Sequence, residues 1–285
     1  MSHAAAPDHD FPVVRRFILR PHFSIGGSQR ARVGLAVLAA LLSSLSASAQ
    51  ELSASPTAPG ESRWGLGLGV GSIQKPYRGV GRESVVVPIL LYENRWVSVA
   101  GPVADLKLPS PNSAISFRLR ARYDPGAGYE AGDSIALTGM EERKTGTWLG
   151  GALLWRTDLV DVGAEWLGDA SGNSKGQRAT FSLQRRFPVG SFAFTPRVEA
   201  IWLDRKNVNY YYGVRAQEAS AGRSAYEADS TVNARFGVRV DYRIAPRHAV
   251  FLDLSTTRLG SEIKNSPIVE RSSASSAFVG YSYQF

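Results

Sequence analysis

Histidine, cysteine and paired carboxylates are the residues with which most enzymes move protons or form covalent intermediates. The 285-residue sequence has no cysteine and four histidines, His3, His9, His22 and His248. The first three lie in a segment expected to be removed. His248 follows Pro246 closely and is expected in a short turn, so neither a Ser–His nor a Cys–His pair can be assembled. The lack of cysteine also excludes a disulfide framework, a thiolate metal site and a lipid-modified cysteine anchor. Strand alternation leaves Asp161, Glu165, Glu199, Asp241 and Asp253 as inward acids from which a carboxylate pair could be drawn. The Gly-x-Gly-x-Gly run at Gly65–Gly69 has no following helix, so it fails as a phosphate loop. Here glycine is expected to make room for arginines opposite. The reading is therefore non-enzymatic, with no catalytic residue, metal or cofactor.

The strongest chemical pattern is guanidinium at alternate positions. In Ala114–Tyr123, Ile115, Phe117, Leu119, Ala121 and Tyr123 face one way, and Ser116, Arg118, Arg120 and Arg122 the other. Two further segments repeat it, Gln177–Phe187 with Arg178 and Arg186, and Thr231–Ile244 with Arg235, Arg239 and Arg243. Arg197 joins them from Phe192–Leu203. A soluble sheet does not turn three successive arginines to its core. A membrane barrel inverts the rule, with apolar side chains on lipid and charges in the lumen. Nine inward arginines against the five acids above give two readings. One is a salt-bridge network filling the lumen, because uncompensated charge in a narrow barrel is expensive. The other is a small pore with an anion-friendly lining.

The elements that position these arginines follow from the same period of two. Arg30 and Arg32, the apolar run Val33–Leu45 and Ala47-Ser48-Ala49 read as a signal peptide over 1–49. Export removes nucleic acid as a partner despite a formal charge of +8. Residues 50–62 read as a flexible periplasmic lead-in, and 63–285 as an all-β, antiparallel, up-and-down transmembrane barrel. Strands are expected at 64–72, 84–93, 95–100, 103–108, 114–123, 147–157, 160–168, 177–187, 192–203, 231–244, 249–258 and 273–285. Splitting the fourth and third at Gly101-Pro102 makes the count even, as a single-chain bacterial barrel requires. Twelve strands is the expected number and ten the alternative. Pro88 predicts a bulge. No helical periodicity is found; 124–146, 204–230 and 259–272 read as long external loops. The six tryptophans are expected in interfacial belts, with carbohydrate stacking the alternative for Trp64 or Trp166. The chain ends on Val279, Tyr281, Tyr283 and Phe285, outward aromatics and Val in alternation. That ending resembles the signal read by the bacterial barrel-assembly machinery, so the expected location is the outer membrane, in contact with its lipid.

Several local motifs resemble the MipA/OmpV family, the MltA-interacting-protein group of outer-membrane barrels. They are Pro76-Tyr77-Arg78-Gly79, Leu137-Thr138-Gly139-Met140-Glu141-Glu142-Arg143, Asp169-Ala170-Ser171-Gly172, Tyr211-Tyr212-Gly213-Val214 with Ala225-Tyr226, and Ser266-Pro267-Ile268-Val269. The resemblance implies a scaffold or envelope-interaction protein, with a lytic transglycosylase and a peptidoglycan synthase as partners. It brings no catalytic residue set. The alternative function is the narrow arginine-lined channel for small anionic solutes.

Overall fold

Parity along each strand assigns every side chain either to lipid or to the interior. A computed structural model describes residues 62–125 and 127–285. The expected signal peptide over 1–49 and, apart from Ser62, the expected lead-in over 50–62 lie outside the described residues. The ladder segments are β1 (Arg63–Gln74), β2 (Arg82–Glu93), β3 (Val97–Ala100), β4 (Val103–Lys107), β5 (Ile115–Tyr123), β6 (Thr147–Arg156), β7 (Asp161–Asp169), β8 (Gln177–Gln184), β9 (Phe187–Val189), β10 (Phe192–Leu203), β11 (Thr231–Ala245), β12 (His248–Arg258) and β13 (Ser273–Gln284). Both β8 and β9 pair with β10, so they form one wall strand interrupted at Arg185 and Arg186. The wall is a closed antiparallel barrel of twelve strands, the number that parity predicts.

The two faces separate as the alternation requires. Leu119, Phe181, Phe236 and Val279 point outward and are about half exposed, at 52%, 50%, 52% and 50%. The arginines interleaved with them point inward. Closure is made by β1 against β13, in register from Gly65 opposite Gln284 to Gln74 opposite Ser275. The Phe285 N–H donates to the Trp64 carbonyl at 2.9 Å. Glycine lets this seam close tightly: a Cβ on Gly71 would stand 2.2 Å from the Phe278 ring. The expectation that β1 glycines clear space for arginines is thus corrected. They clear space for Phe278, Ile89, Leu91 and backbone, whereas Gly237 on β11 stands against a guanidinium, that of Arg197.

Three local expectations also change. Pro88 makes no bulge: the β1–β2 register runs unbroken from Arg63 opposite Glu93 to Gln74 opposite Arg82. Leu90, two residues on, accepts from Gly101 on the β3 side, so the missing N–H of Pro88 faces away from β1 and removes no bond from that ladder. The strand 177–187 breaks at Arg185. His248 opens β12 instead of lying in a turn, with a ring nitrogen 2.6 Å from the Tyr281 hydroxyl. By the rule that outer-membrane barrels carry short turns inside and long loops outside, Asn94–Trp96, Gly190-Ser191 and Pro246-Arg247 are periplasmic.

Gly71→Leu is expected to destabilise the barrel by about 1–3 kcal/mol through overpacking against Phe278, measured by urea unfolding in detergent. Phe285→Ala is expected to lower the yield of heat-modifiable, folded protein in gels while leaving synthesis unchanged.

Candidate functional site: the arginine-walled lumen and its loop cap

Eight of the nine expected arginines meet carboxylates. Arg118 reaches Asp105 at 3.0 Å, and Arg120 reaches both Asp105 at 2.7 Å and Glu165 at 2.7 Å. Glu165 also accepts from Arg122 at 3.0 Å, so one ladder runs through five charged groups. On the other side Arg197 grips Asp253 with two bonds, 2.7 and 2.9 Å, and Arg235 meets Glu199 at 3.0 Å. Lower down, Asp241 serves Arg239 at 2.9 Å and Arg186 at 3.2 Å. Arg178 pairs with Asp124 and lies over the Trp148 ring at 4.6 Å. Arg243 is exposed near the periplasmic end, with no ion pair among the described residues. Asp161 lines the cavity without an ion pair there.

Two of the acids that matter most escape strand alternation. Asp105 is only 5% exposed and holds two arginines, but its strand is five residues long, too short to display a period. Asp124 follows the last residue of β5 and reads as loop. Trp148 is likewise not in a belt: it points inward and is 2% exposed. Trp64, Trp96, Trp155 and Trp166 do face outward.

The lumen these residues line holds a cavity of about 940 Å³. Its walls differ in chemistry. One carries the arginines of β5, β8, β10 and β11; the other carries Ile73, Val87, Ile89, Leu91 and Phe278. Three guanidinium N–H sites, Nε of Arg122 and Nε and Nη2 of Arg178, are buried without an acceptor among the described residues.

Above the lumen the external loops pack into a cap with its own core. Tyr77, Leu137, Val208, Ile263 and Ile268, from four loops, are almost fully buried and contiguous. Tyr77 bridges to Val269, Tyr129 to Arg143, and Val214 to Tyr226. Four of the five motifs that carry the family resemblance therefore converge in one place, the exception being Asp169-Ala170-Ser171-Gly172. A helix, Arg205–Tyr212, corrects the all-loop reading of this region. Eight residues are too few to show periodicity, but Asp204 was its available signal: it caps the helix by accepting from Asn207 N–H at 2.8 Å. The cap's central bond is the buried, two-pronged Arg143–Glu218 pair at 2.7 and 2.9 Å. Arg143 also donates to the carbonyls of Tyr210 and Glu141, and Glu218 accepts from the N–H groups of Arg215 and Glu141. Burial alone would raise the Glu218 carboxyl. The Arg215 N–H, the Arg143 guanidinium and the Glu141 N–H outweigh it and hold the group below its ordinary range. Burial pushes the Tyr129 phenol the other way, up to about 12.

Arg143→Ala leaves the Glu218 charge buried and unpaired, and is expected to destabilise the cap by about 3–5 kcal/mol. The barrel wall should survive while loops 124–146 and 204–230 become sensitive to protease. Because the folded Glu218 value is depressed, its contribution is complete above the ordinary glutamate range, near pH ~4.3, and is lost as pH falls through the folded value. Protection of the loop amides, relative to their intrinsic exchange rate at each pH, should therefore be constant from neutral pH down to that range and fall only in stronger acid.

Comparison with known proteins gives the same architecture a lineage. A family model described as MltA-interacting protein MipA matches residues 66–285. The chain is 25% identical over 230 residues to the MltA-interacting protein of Escherichia coli (strain K12), covering 79% of this chain and 91% of that protein. It is 30% identical over 149 residues to the outer membrane protein Omp26La of Vibrio anguillarum, covering 51% of this chain and 56% of that protein. A solved outer membrane channel from Pseudomonas putida F1 aligns over 79% of this chain and 95% of its own, with 12% identity and a TM-score of 0.41. This protein of the outer membrane belongs to the MltA-interacting protein MipA family.

Proposed function

We infer that the barrel is a non-catalytic docking protein of the cell envelope, which holds a murein-cleaving lytic transglycosylase, and through it a peptidoglycan synthase, at its periplasmic rim. The observation that carries this reading is the charge of that rim. Arg95, Arg156, Arg185, Arg243 and Arg247 stand exposed at the periplasmic end, with no carboxylate partner among the described residues. Such a ring steers and orients an acidic partner surface without demanding a deep pocket. Two further points agree with it. Lumen charges are largely compensated within the barrel, and the relative covering 91% of its own length is named for its interaction with MltA.

Purified, folded barrel in nanodiscs should capture a lytic transglycosylase of the MltA type. Changing Arg95, Arg185, Arg243 and Arg247 together to Gln should weaken capture about tenfold at low salt, with the difference shrinking as salt screens the rim. A folded barrel that captures nothing sinks the proposal.

The channel reading draws on the cavity of about 940 Å³. The cap opposes it, so wild-type protein should be silent in planar bilayers and Arg143→Ala should conduct. Steady anion-selective current through the wild type would make transport the primary function.

A further inference from the structure

One stretch of the wall is incomplete. β2 pairs with β1 along its whole length, but with β3 only from Leu91 opposite Ala100 to Glu93 opposite Ser98. The β3–β4 hairpin ends at Gly101-Pro102, where Gly101 donates to Leu90 and Pro102 accepts from Tyr123. Above that tip, Arg82–Ile89 has no strand on its second side among the described residues. Residues two apart send their peptide groups to the same neighbour, so those of Val86, Ser84 and Arg82 face the opening with Pro88. Val86 and Pro88 are exposed alongside the lipid-facing Val70 and Leu68 of β1. The gap therefore begins at hydrocarbon depth and ends, at Ser84 and Arg82, at headgroup level on the external side.

An open edge against hydrocarbon leaves each unmet peptide group several kcal/mol out of pocket. Irregular backbone at that depth is tolerated where a cavity lies behind it. Here Val87, Ile89, Gly101, Pro102, Asp124 and Pro125 all line the same lumen cavity, so the cavity extends to the gap. What the cavity presents there is two-sided. β2 does not alternate as β5, β8 and β11 do: it is apolar on both faces from Val85 to Leu91. Such a strand is at home with apolar matter on both sides, lipid outside and an apolar occupant within. The same cavity is lined by Arg122 and Arg178, which carry the acceptor-free guanidinium N–H sites described above.

We propose that the lumen binds a single-chain amphiphile with an anionic head, admitted sideways from the outer leaflet through the gap between upper β2 and the Gly101-Pro102 tip. The chain lies along Ile73, Val87, Ile89 and Phe278. The carboxylate or phosphate meets Arg122 and Arg178, whose planar donors suit either group. The cavity volume is within the range of small-molecule sites. This site is independent of enzyme docking at the rim.

The test uses mature protein in nanodiscs with radiolabelled palmitate as probe. Expected are saturable one-to-one binding, and competition by palmitate and by palmitoyl lysophosphatidate, their relative strengths separating a free acid from a lipid headgroup. Hexadecanol and acetate should compete about tenfold more weakly or worse, because each lacks one half of the recognition. Arg122→Gln with Arg178→Gln should weaken palmitate about tenfold while the protein keeps its heat-modifiable mobility. For the route, Val86→Trp with Pro102→Trp should slow association, whereas Arg143→Ala, which loosens the cap, should leave the rate unchanged. No saturable binding by a folded barrel, or hexadecanol binding as tightly as palmitate, overturns the site. Association accelerated by Arg143→Ala and indifferent to the wall variants overturns the lateral path.

Discussion

A charge inside a lipid-embedded barrel can be met only by its neighbours or by water in the lumen, and the rest of this structure follows from that restriction. Asp105 and Glu165 each hold two guanidinium groups, and Arg120 joins them. The ladder crosses from β4 through β5 to β7, so strands distant in the chain are tied from within. Arg197, Asp253, Glu199 and Arg235 do the same across β10, β11 and β12. These pairs matter less as net stabilisation than as register markers. A slip of one residue would turn every arginine to the acyl chains and every leucine to the lumen.

The cap obeys the opposite rule. Its loops build a small soluble-protein core, apolar within and polar at the surface, on top of an inverted barrel. Arg143 and Glu218 sit inside it as a saturated ion pair, which is costly to break from either side. The barrel is thus two folding problems stacked on one another, solved with opposite distributions of grease and charge.

The wall was almost fully legible in the sequence, because a period of two repeated over about ten residues is hard to counterfeit. The Arg118, Arg120 and Arg122 face, the even strand number and the break at Gly101-Pro102 all follow from it. What stayed hidden was whatever lacks a period. Asp105 sits on a strand too short to alternate, Asp124 lies one residue past a strand end, and Trp148 differs from the belt tryptophans only by parity at a strand's first turn of register. Pro88 misled because a proline's meaning depends on which side of the strand lacks a partner, and that is a tertiary fact. The cap was visible as scattered motifs but not as an object, since nothing local says that Tyr77 and Val269 touch.

The hairpin of β3 and β4 makes the barrel lopsided. Strands of four and five residues rise about 13–17 Å at the usual pitch, against an apolar band of about 25 Å elsewhere in such barrels. Hydrophobic mismatch is therefore concentrated on one azimuth. The bilayer must thin there, or the whole cylinder must lean toward its low side, at a fraction of a kcal/mol per ångström. Neighbouring membrane proteins will sense that flank as a region of softened, disordered lipid, and the barrel consequently has a front and a back in the plane of the membrane.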